Sequence, residues 1–305
     1  PSVDGINTFL VSQCAKRAGV KVALSGLGGD EVFGGYSTFR RVPLLAKLGN
    51  MLGRLPAGVR DAAGALSGAI GGPAAKQRFG AFAAGKGDML SSYLMLRMLF
   101  TPDQTAVLTG RSSASVLESF AEDDQSLRAR IQGLDPFRQV SLLEMEMYMS
   151  NMLLRDTDVM SMANSLEVRV PLLDHRLVEY VWSLPMGVKC QGGKTKGFLL
   201  SAMGRDLPAS VVNRAKRGFT FPWAEWMRGV LRDQLEEVFT ADTRFGEDVM
   251  DRQEQLRIWR EFLSGKDDRG WSRVWAIYIL RRWLDRLAGA KGTRSSGPVS
   301  RAGVC

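Results

Sequence analysis

The chain has 305 residues, 45% hydrophobic and 24% charged, a balance that excludes a fibrous or wholly disordered protein. Cys14, Cys190 and Cys305 are too few and too far apart for a disulfide framework or a zinc spacing, which favours a reducing, cytoplasmic setting, and no apolar run is long enough to span a bilayer. The net charge of +9 arises from 41 basic and 32 acidic residues without a Lys/Arg block. Nucleic-acid binding is therefore disfavoured, and attraction for an anionic small molecule is at least as well supported.

In chain order, Asp4 is placed to cap a helix through Ile6, Phe9, Leu10, Cys14 and Ala18, an i, i+3, i+4 series that Gly19 closes. Val20-Lys-Val-Ala-Leu24 reads as a buried strand. It runs into Ser25-Gly-Leu-Gly-Gly-Asp-Glu-Val-Phe-Gly-Gly-Tyr36, which holds five glycines and two adjacent carboxylates, Asp30 and Glu31. Glycines at the carboxyl end of a strand let a ligand approach the backbone, and carboxylates suit a hard cation such as Mg2+. The order helix, strand, glycine loop, helix is one layer of a doubly wound fold, whose ligands bind at strand carboxyl ends.

Residues 49–88 are rich in Gly and Ala and read as short helices and a mobile connection. Thr101-Pro102 starts a helix that Gly110 stops, and the polar stretch 112–136 reads as a link. A long helix is expected from Pro136 through Leu153, and another after the capping Asp174, ended by Pro185. Further helices are expected at 195–205, 222–240, 247–264 and 271–288, with a disordered tail from Gly289 to Cys305. Residues 1–288 read as one domain. Only one strand is convincing, and one strand cannot bury itself.

Three later segments carry candidate chemistry. Glu167 and Arg169 sit where a helical pattern meets a loop and read more readily as a structural ion pair than as catalytic groups. Gly192-Gly-Lys-Thr-Lys-Gly197 opens a helix with two lysines, an arrangement that suits an anion but lacks the spacing of a Walker A loop. Asn213-Arg-Ala-Lys-Arg-Gly-Phe-Thr-Phe-Pro-Trp223 mixes cations with aromatics and suits either an RNA contact or a core-plus-loop segment. His175 has no nearby His or Cys with which to share a metal, Met145 to Met162 read as core filling, and Cys190 as an inert thiol.

Taken together, Pro1–Asn7, Ser25–Tyr36, Ser161-Met-Ala-Asn-Ser-Leu-Glu-Val-Arg-Val-Pro-Leu-Leu-Asp174, Gly193-Lys-Thr-Lys196 and Arg214-Ala-Lys-Arg-Gly-Phe219 resemble the synthetase domain of the asparagine synthetase family, from residue 1 to about 285. The resemblance implies an α/β fold: a mostly α-helical fragment of an adenine-nucleotide alpha-hydrolase-like, pyrophosphate-loop domain with a remnant parallel sheet. It also implies a reaction in which ATP and Mg2+ adenylate the side-chain carboxylate of aspartate and ammonia from glutamine displaces AMP. On that resemblance Ser25 and Gly26, with Gly28 and Gly29 of the same loop, would touch the nucleotide. Asp30 would hold Mg2+, and Lys196 would meet the phosphates as pyrophosphate leaves.

Two departures stand out. The family's Ser-Gly-Gly-x-Asp-Ser pyrophosphate loop does not occur in these residues, and neither does its amino-terminal glutaminase domain. The chain is therefore expected to be the carboxyl-terminal part of a synthetase, inactive alone, with the assembly, a homodimer included, left open. Leu27 stands where family members that make asparagine often carry a glutamate, so the acceptor is aspartate or another carboxylic acid. The base at the ammonia step falls to Glu144, Glu146 or Asp158. A non-catalytic interaction module keeping the fold is the competing reading.

Overall fold

The computed structural model describes residues 2–54, 56, 58–59, 88–119, 121–190, 196–203, 206–212, 221–241, 249–265 and 270–292. Most of the 49–88 stretch, the Gly192–Thr195 part of the lysine motif, Arg214–Phe219 and the tail beyond Gly292 lie outside them. Residues 1–288, read from the sequence as one domain, divide by internal packing into two compact units. The first comprises Pro1–Thr101 and Leu117–Phe221, the second Pro102–Val116 and Pro222–Cys305.

The first unit opens with α1 (Val3–Arg17) and β1 (Val22–Leu24). The N-cap of α1 is Ser2, whose hydroxyl accepts from the Gly5 amide, and Asp4 lies in the first turn instead. The buried face of α1 is also not the predicted apolar stripe. It consists of Gly5, Asn7 and Ser12, small and polar residues that let the helix approach α9 (Arg155–Met162) closely. A Cβ on Gly5 would lie 3.2 Å from Asp156, while Leu10 and Val11 remain exposed.

β1 pairs in parallel with β2 (Glu167–Arg169), in the register Val22 with Glu167, Ala23 with Val168 and Leu24 with Arg169. The sequence reading of Glu167–Arg169 as a helix-to-loop junction is thus corrected to a short strand. Its ion pair exists, at 2.7 Å, but both partners are more than half exposed and stabilise the fold little. The reading of β1 as buried is corrected too: Val22 is 43% and Leu24 75% exposed.

The glycine loop leads into α2 (Gly29–Phe33), then α3 (Thr38–Gly53) and α4 (Met89–Arg97). The stretch read as a polar link is helical, with α6 (Ser113–Glu118) returning the chain from the second unit and α7 (Ala121–Ile131) following. Next come α8 (Pro136–Leu143), a π-helix over Glu144–Leu154, and α9, one uninterrupted helical run as expected from Pro136. Asp135 caps it, its carboxylate accepting from the amides of Phe137 and Arg138, with proline at the first helical position. Val42, Leu90, Tyr93, Ile131, Val140 and Leu143 form the core between α3, α4, α7 and α8. The methionines fill it only in part, since Met152 and Met162 are exposed.

After β2, a 3-10 turn (Pro171–Leu173) precedes α10 (His175–Ser183), capped by Asp174 as read, then α11 (Met186–Lys189), α12 (Gly197–Met203) and α13 (Ala209–Val212). The second unit contains α5 (Pro102–Thr109), α14 (Trp223–Arg228), α15 (Arg232–Thr240), α16 (Arg252–Leu263) and α17 (Trp271–Gly292). The helix expected over 222–240 is two, broken at Gly229, and the last runs four residues further than expected. Trp223 is buried among Trp226, Trp271 and Trp275, which gives this aromatic cluster a core role. No helix among the described residues is long and apolar enough to cross a membrane.

Candidate functional site

The glycine loop leaves the carboxyl end of β1, where the Ser25 amide donates to the Arg169 carbonyl of β2 at 2.8 Å. The Ser25 hydroxyl accepts from the Leu27 amide at 3.3 Å, folding the backbone over at Gly26. A Cβ on Gly26 would meet nothing within 4 Å, so the loop borders open space there. Gly28 is different. Its φ is 87°, and a Cβ would strike Leu173 at 2.3 Å, so only glycine lets the loop press onto the turn before α10. Gly29 is similarly confined, its Cβ position 3.0 Å from Leu172 and 3.5 Å from the Lys196 Nζ.

Asp30 and Glu31, adjacent in sequence, are separated by the helix they start. Asp30 is partly exposed and its carboxylate meets the Lys196 ammonium at 3.1 Å. Glu31 is buried and accepts from the Tyr36 hydroxyl at 2.7 Å. The sequence reading offered both carboxylates to a cation; only Asp30 faces the space that Lys196 shares. Lys196 arrives from the start of α12, whose Phe198 stacks on Phe33 of α2 at 6.3 Å between ring centres. Its backbone φ of 57° puts a non-glycine residue in the left-handed region, a strained conformation of the kind that clusters at functional sites.

The residues fit a hard divalent cation in one way. Among the described residues no group of three or more His, Cys, Asp or Glu side chains gathers to cage a metal. Asp30 offers one hard carboxylate donor beside an ammonium, which suits a cation such as Mg2+ that takes only one or two protein carboxylates.

Behind this pair lies a buried charge network that sequence reasoning did not find. Glu144, fully buried at the start of the π-helix, accepts from Thr38 at 2.5 Å and Tyr93 at 3.1 Å and pairs with Arg97 at 2.5 Å. The Arg97 guanidinium lies over the rings of Tyr148 at 4.2 Å, Tyr36 at 5.0 Å and Tyr93 at 6.0 Å. Tyr148 donates to Asp4 at 3.1 Å. Burial holds the Asp4 carboxyl above its ordinary range despite that bond, and pushes the phenols of Tyr36, Tyr93 and Tyr148 above theirs. Nothing in the spacing of Asp4, Tyr36, Arg97, Glu144 and Tyr148 announces the cluster, because four separate elements supply it.

The three candidate bases are accounted for. Glu144 is committed to Thr38, Tyr93 and Arg97, and Glu146 to Arg130 at 2.7 Å on the surface. Asp158 lies on the exposed side of α9. The side-chain hydrogen bonds and ion pairs of Glu144 and Glu146 thus go to groups other than Asp30 and Lys196. Cys190 is an ordinary thiol whose pKa burial pushes up.

The asparagine synthase family model matches residues 3–285, through both compact units. A putative glutamine-hydrolyzing asparagine synthetase of Mycobacterium tuberculosis is 28% identical over 293 residues, covering 90% of this chain and 40% of the relative. Asparagine synthetase [glutamine-hydrolyzing] 1 of Bacillus subtilis is 25% identical over 285 residues, covering 91% and 42%. Amidase chyE of Penicillium rubens is 25% identical over 264 residues, covering 79% and 38%. The chain thus spans about two fifths of the length of these relatives. With a match over nearly all its residues, the chain belongs to the asparagine synthase family.

Proposed function

We propose that this chain provides the metal- and phosphate-facing part of an ATP-dependent ligase that turns a carboxylic acid into its amide. The observation that carries the reading is the Asp30–Lys196 pair, held on a glycine loop at the carboxyl end of a parallel strand. The acid, aspartate or a related one, is activated as its acyl adenylate, and ammonia displaces AMP. Adenylyl transfer needs alignment and charge neutralisation more than covalent help. Lys196 neutralises the charge that develops on departing pyrophosphate. Ser25 and Gly26 lie against the nucleotide, Gly26 where the loop borders open space, and Gly28 and Gly29 fix the loop beneath it. Asp30 would hold Mg2+, which when bound supplies positive charge to the phosphates.

Ammonia comes from glutamine hydrolysed elsewhere in the full protein, and the pyrophosphate loop completes the nucleotide site from outside these residues. Leu27 carries no titratable group, which supports a second acid substrate beside aspartate as an alternative of equal chemistry.

The test uses the full-length protein, ATP, Mg2+ and a panel of carboxylic acids, aspartate first, with pyrophosphate exchange as the readout. Exchange with at least one acid is expected. Asp30→Asn and Lys196→Ala should each lower it by roughly a hundredfold or more, the scale of a lost electrostatic partner in a transition state, while the circular dichroism is unchanged. Exchange with no acid, or full activity in both variants, overturns the reading and favours an interaction module that keeps the fold.

A further inference from the structure

The short helix α2 has five residues between two left-handed glycines, Gly28 and Gly34. Its hydrogen bonds, such as Val32 to Gly28 at 2.9 Å and Gly35 to Asp30 at 2.8 Å, are too few to fix its own orientation. Something else must decide which way Asp30 points. Glu31 is tied twice. Its backbone carbonyl accepts from the Ser141 hydroxyl of α8 at 2.8 Å, and its carboxylate accepts from Tyr36 at 2.7 Å. Successive residues on a helix are turned by about 100°, so a Glu31 side chain drawn inward swings Asp30 outward to Lys196.

Tyr36 is itself held. Arg97 lies over its ring at 5.0 Å, the Tyr148 ring meets it edge-on with centres 6.0 Å apart, and Glu144 at 2.5 Å fixes Arg97. The step from Tyr36 back to the site is one residue long. A Cβ on Gly35 would fall 1.7 Å from Asp30 Oδ1 and 2.6 Å from Lys196 Cε, so both side chains rest against the backbone just before Tyr36.

We propose that Glu31 and Tyr36 are positioning residues that set Asp30 for its cation, with the Arg97–Glu144 pair as their fixed support. The proposal rests on the reading of Asp30 as the metal carboxylate. Glu31 acts as an acceptor for Tyr36 and touches no metal. A glutamine in its place keeps that acceptor, whereas Tyr36→Phe strands a buried carboxylate without its donor.

Two readouts on the full-length protein test this. Mn2+ titration in the presence of ATP, followed by electron paramagnetic resonance, reads the site. Hydrogen exchange of the 29–36 peptide reads the orientation of α2. Tyr36→Phe and Glu31→Ala should each weaken Mn2+ binding about tenfold, about 1.4 kcal/mol, and speed exchange at α2, while Glu31→Gln stays near wild type in both. If Glu31→Gln weakens Mn2+ as much as Glu31→Ala, Glu31 is a direct ligand and the proposal fails. If Tyr36→Phe lowers only the melting temperature, with exchange and Mn2+ binding unchanged, the pair is merely structural and the proposal fails again. Should Glu31→Ala not fold, the contrast between Tyr36→Phe and Glu31→Gln decides alone. Failure of the ligase reading looks different: Asp30→Asn would then leave Mn2+ binding intact while Tyr36→Phe still loosened α2.

Discussion

Gly26 and Gly28, two residues apart in the same loop, carry opposite constraints. Alanine at Gly28 would take on a left-handed backbone and a side-chain carbon 2.3 Å from Leu173. Together these should cost roughly 3 kcal/mol of stability, backbone strain and overpacking adding up. Alanine at Gly26 meets no neighbour and no strained φ, so its stability should stay within about 0.5 kcal/mol of wild type. If Gly26 faces the nucleotide, Gly26→Ala should weaken ATP binding without a stability loss. Urea unfolding of both variants, with ATP titration of the second, separates the two roles. The sequence could assign a glycine cluster but not this division, because the partner that confines Gly28 lies 145 positions later in the chain, at Leu173. Separation in the chain also hid the Tyr36–Arg97–Glu144 cluster: each member is an unremarkable residue until the segment before α3, α4 and the π-helix converge.

Elements with local signals were legible and elements without them were not. Pro136 and Asp174 read as helix starts because a cap is written in three or four adjacent residues, and Asp135 and Asp174 do accept from first-turn amides; the helix expected from 247 instead begins at Arg252, capped by Asp251. β2 has only three residues and no period to read, so it exists by pairing with β1. The inward face of α1 was misread because close helix approach selects Gly5, Asn7 and Ser12 over the apolar stripe that periodicity favours. The π-helix was also invisible, since Met145, Met147 and Tyr148 suit an α-helix equally well. π-Helices mostly occur as single turns at functional sites; this one spans 11 residues and delivers Glu144 and Tyr148 to the same guanidinium. Glu144→Ala should therefore leave a mostly buried Arg97 without its counter-charge. A loss of about 3 kcal/mol is expected, the low end for breaking a buried pair because Arg97 is partly exposed. Glu144→Gln, which keeps acceptors for Thr38 and Tyr93, should lose less. Chemical unfolding of the two variants checks the order, and an unfolding midpoint unchanged in Glu144→Ala would deny the network its structural weight.

At the scale of the whole molecule, the sheet is the informative part. β1 and β2 form a two-stranded parallel sheet among the described residues, whereas parallel strands ordinarily lie within larger sheets covered on both faces. Val22 and Leu24 are apolar, yet 43% and 75% exposed, at the strand whose carboxyl end carries the glycine loop. An exposed apolar edge strand is a template for pairing with another strand. The relatives in which this chain occupies about two fifths of the length have sequence enough to supply one. The 305-residue chain by itself should consequently self-associate, and Leu24→Asp should reduce that association. Because Leu24 is largely solvated, the substitution should change the chain's own stability by no more than about 0.5 kcal/mol. In a full-length protein where a further strand covers β1, the same aspartate would be buried without a partner. It should then cost about 1–3 kcal/mol or more, as for other unsatisfied buried polar groups. Sedimentation velocity on the isolated chain and denaturant unfolding of the full-length protein measure the two effects. A harmless Leu24→Asp in both would mean that β1 is an edge in the complete molecule as well, and that the proposed nucleotide site is finished by something other than an added strand.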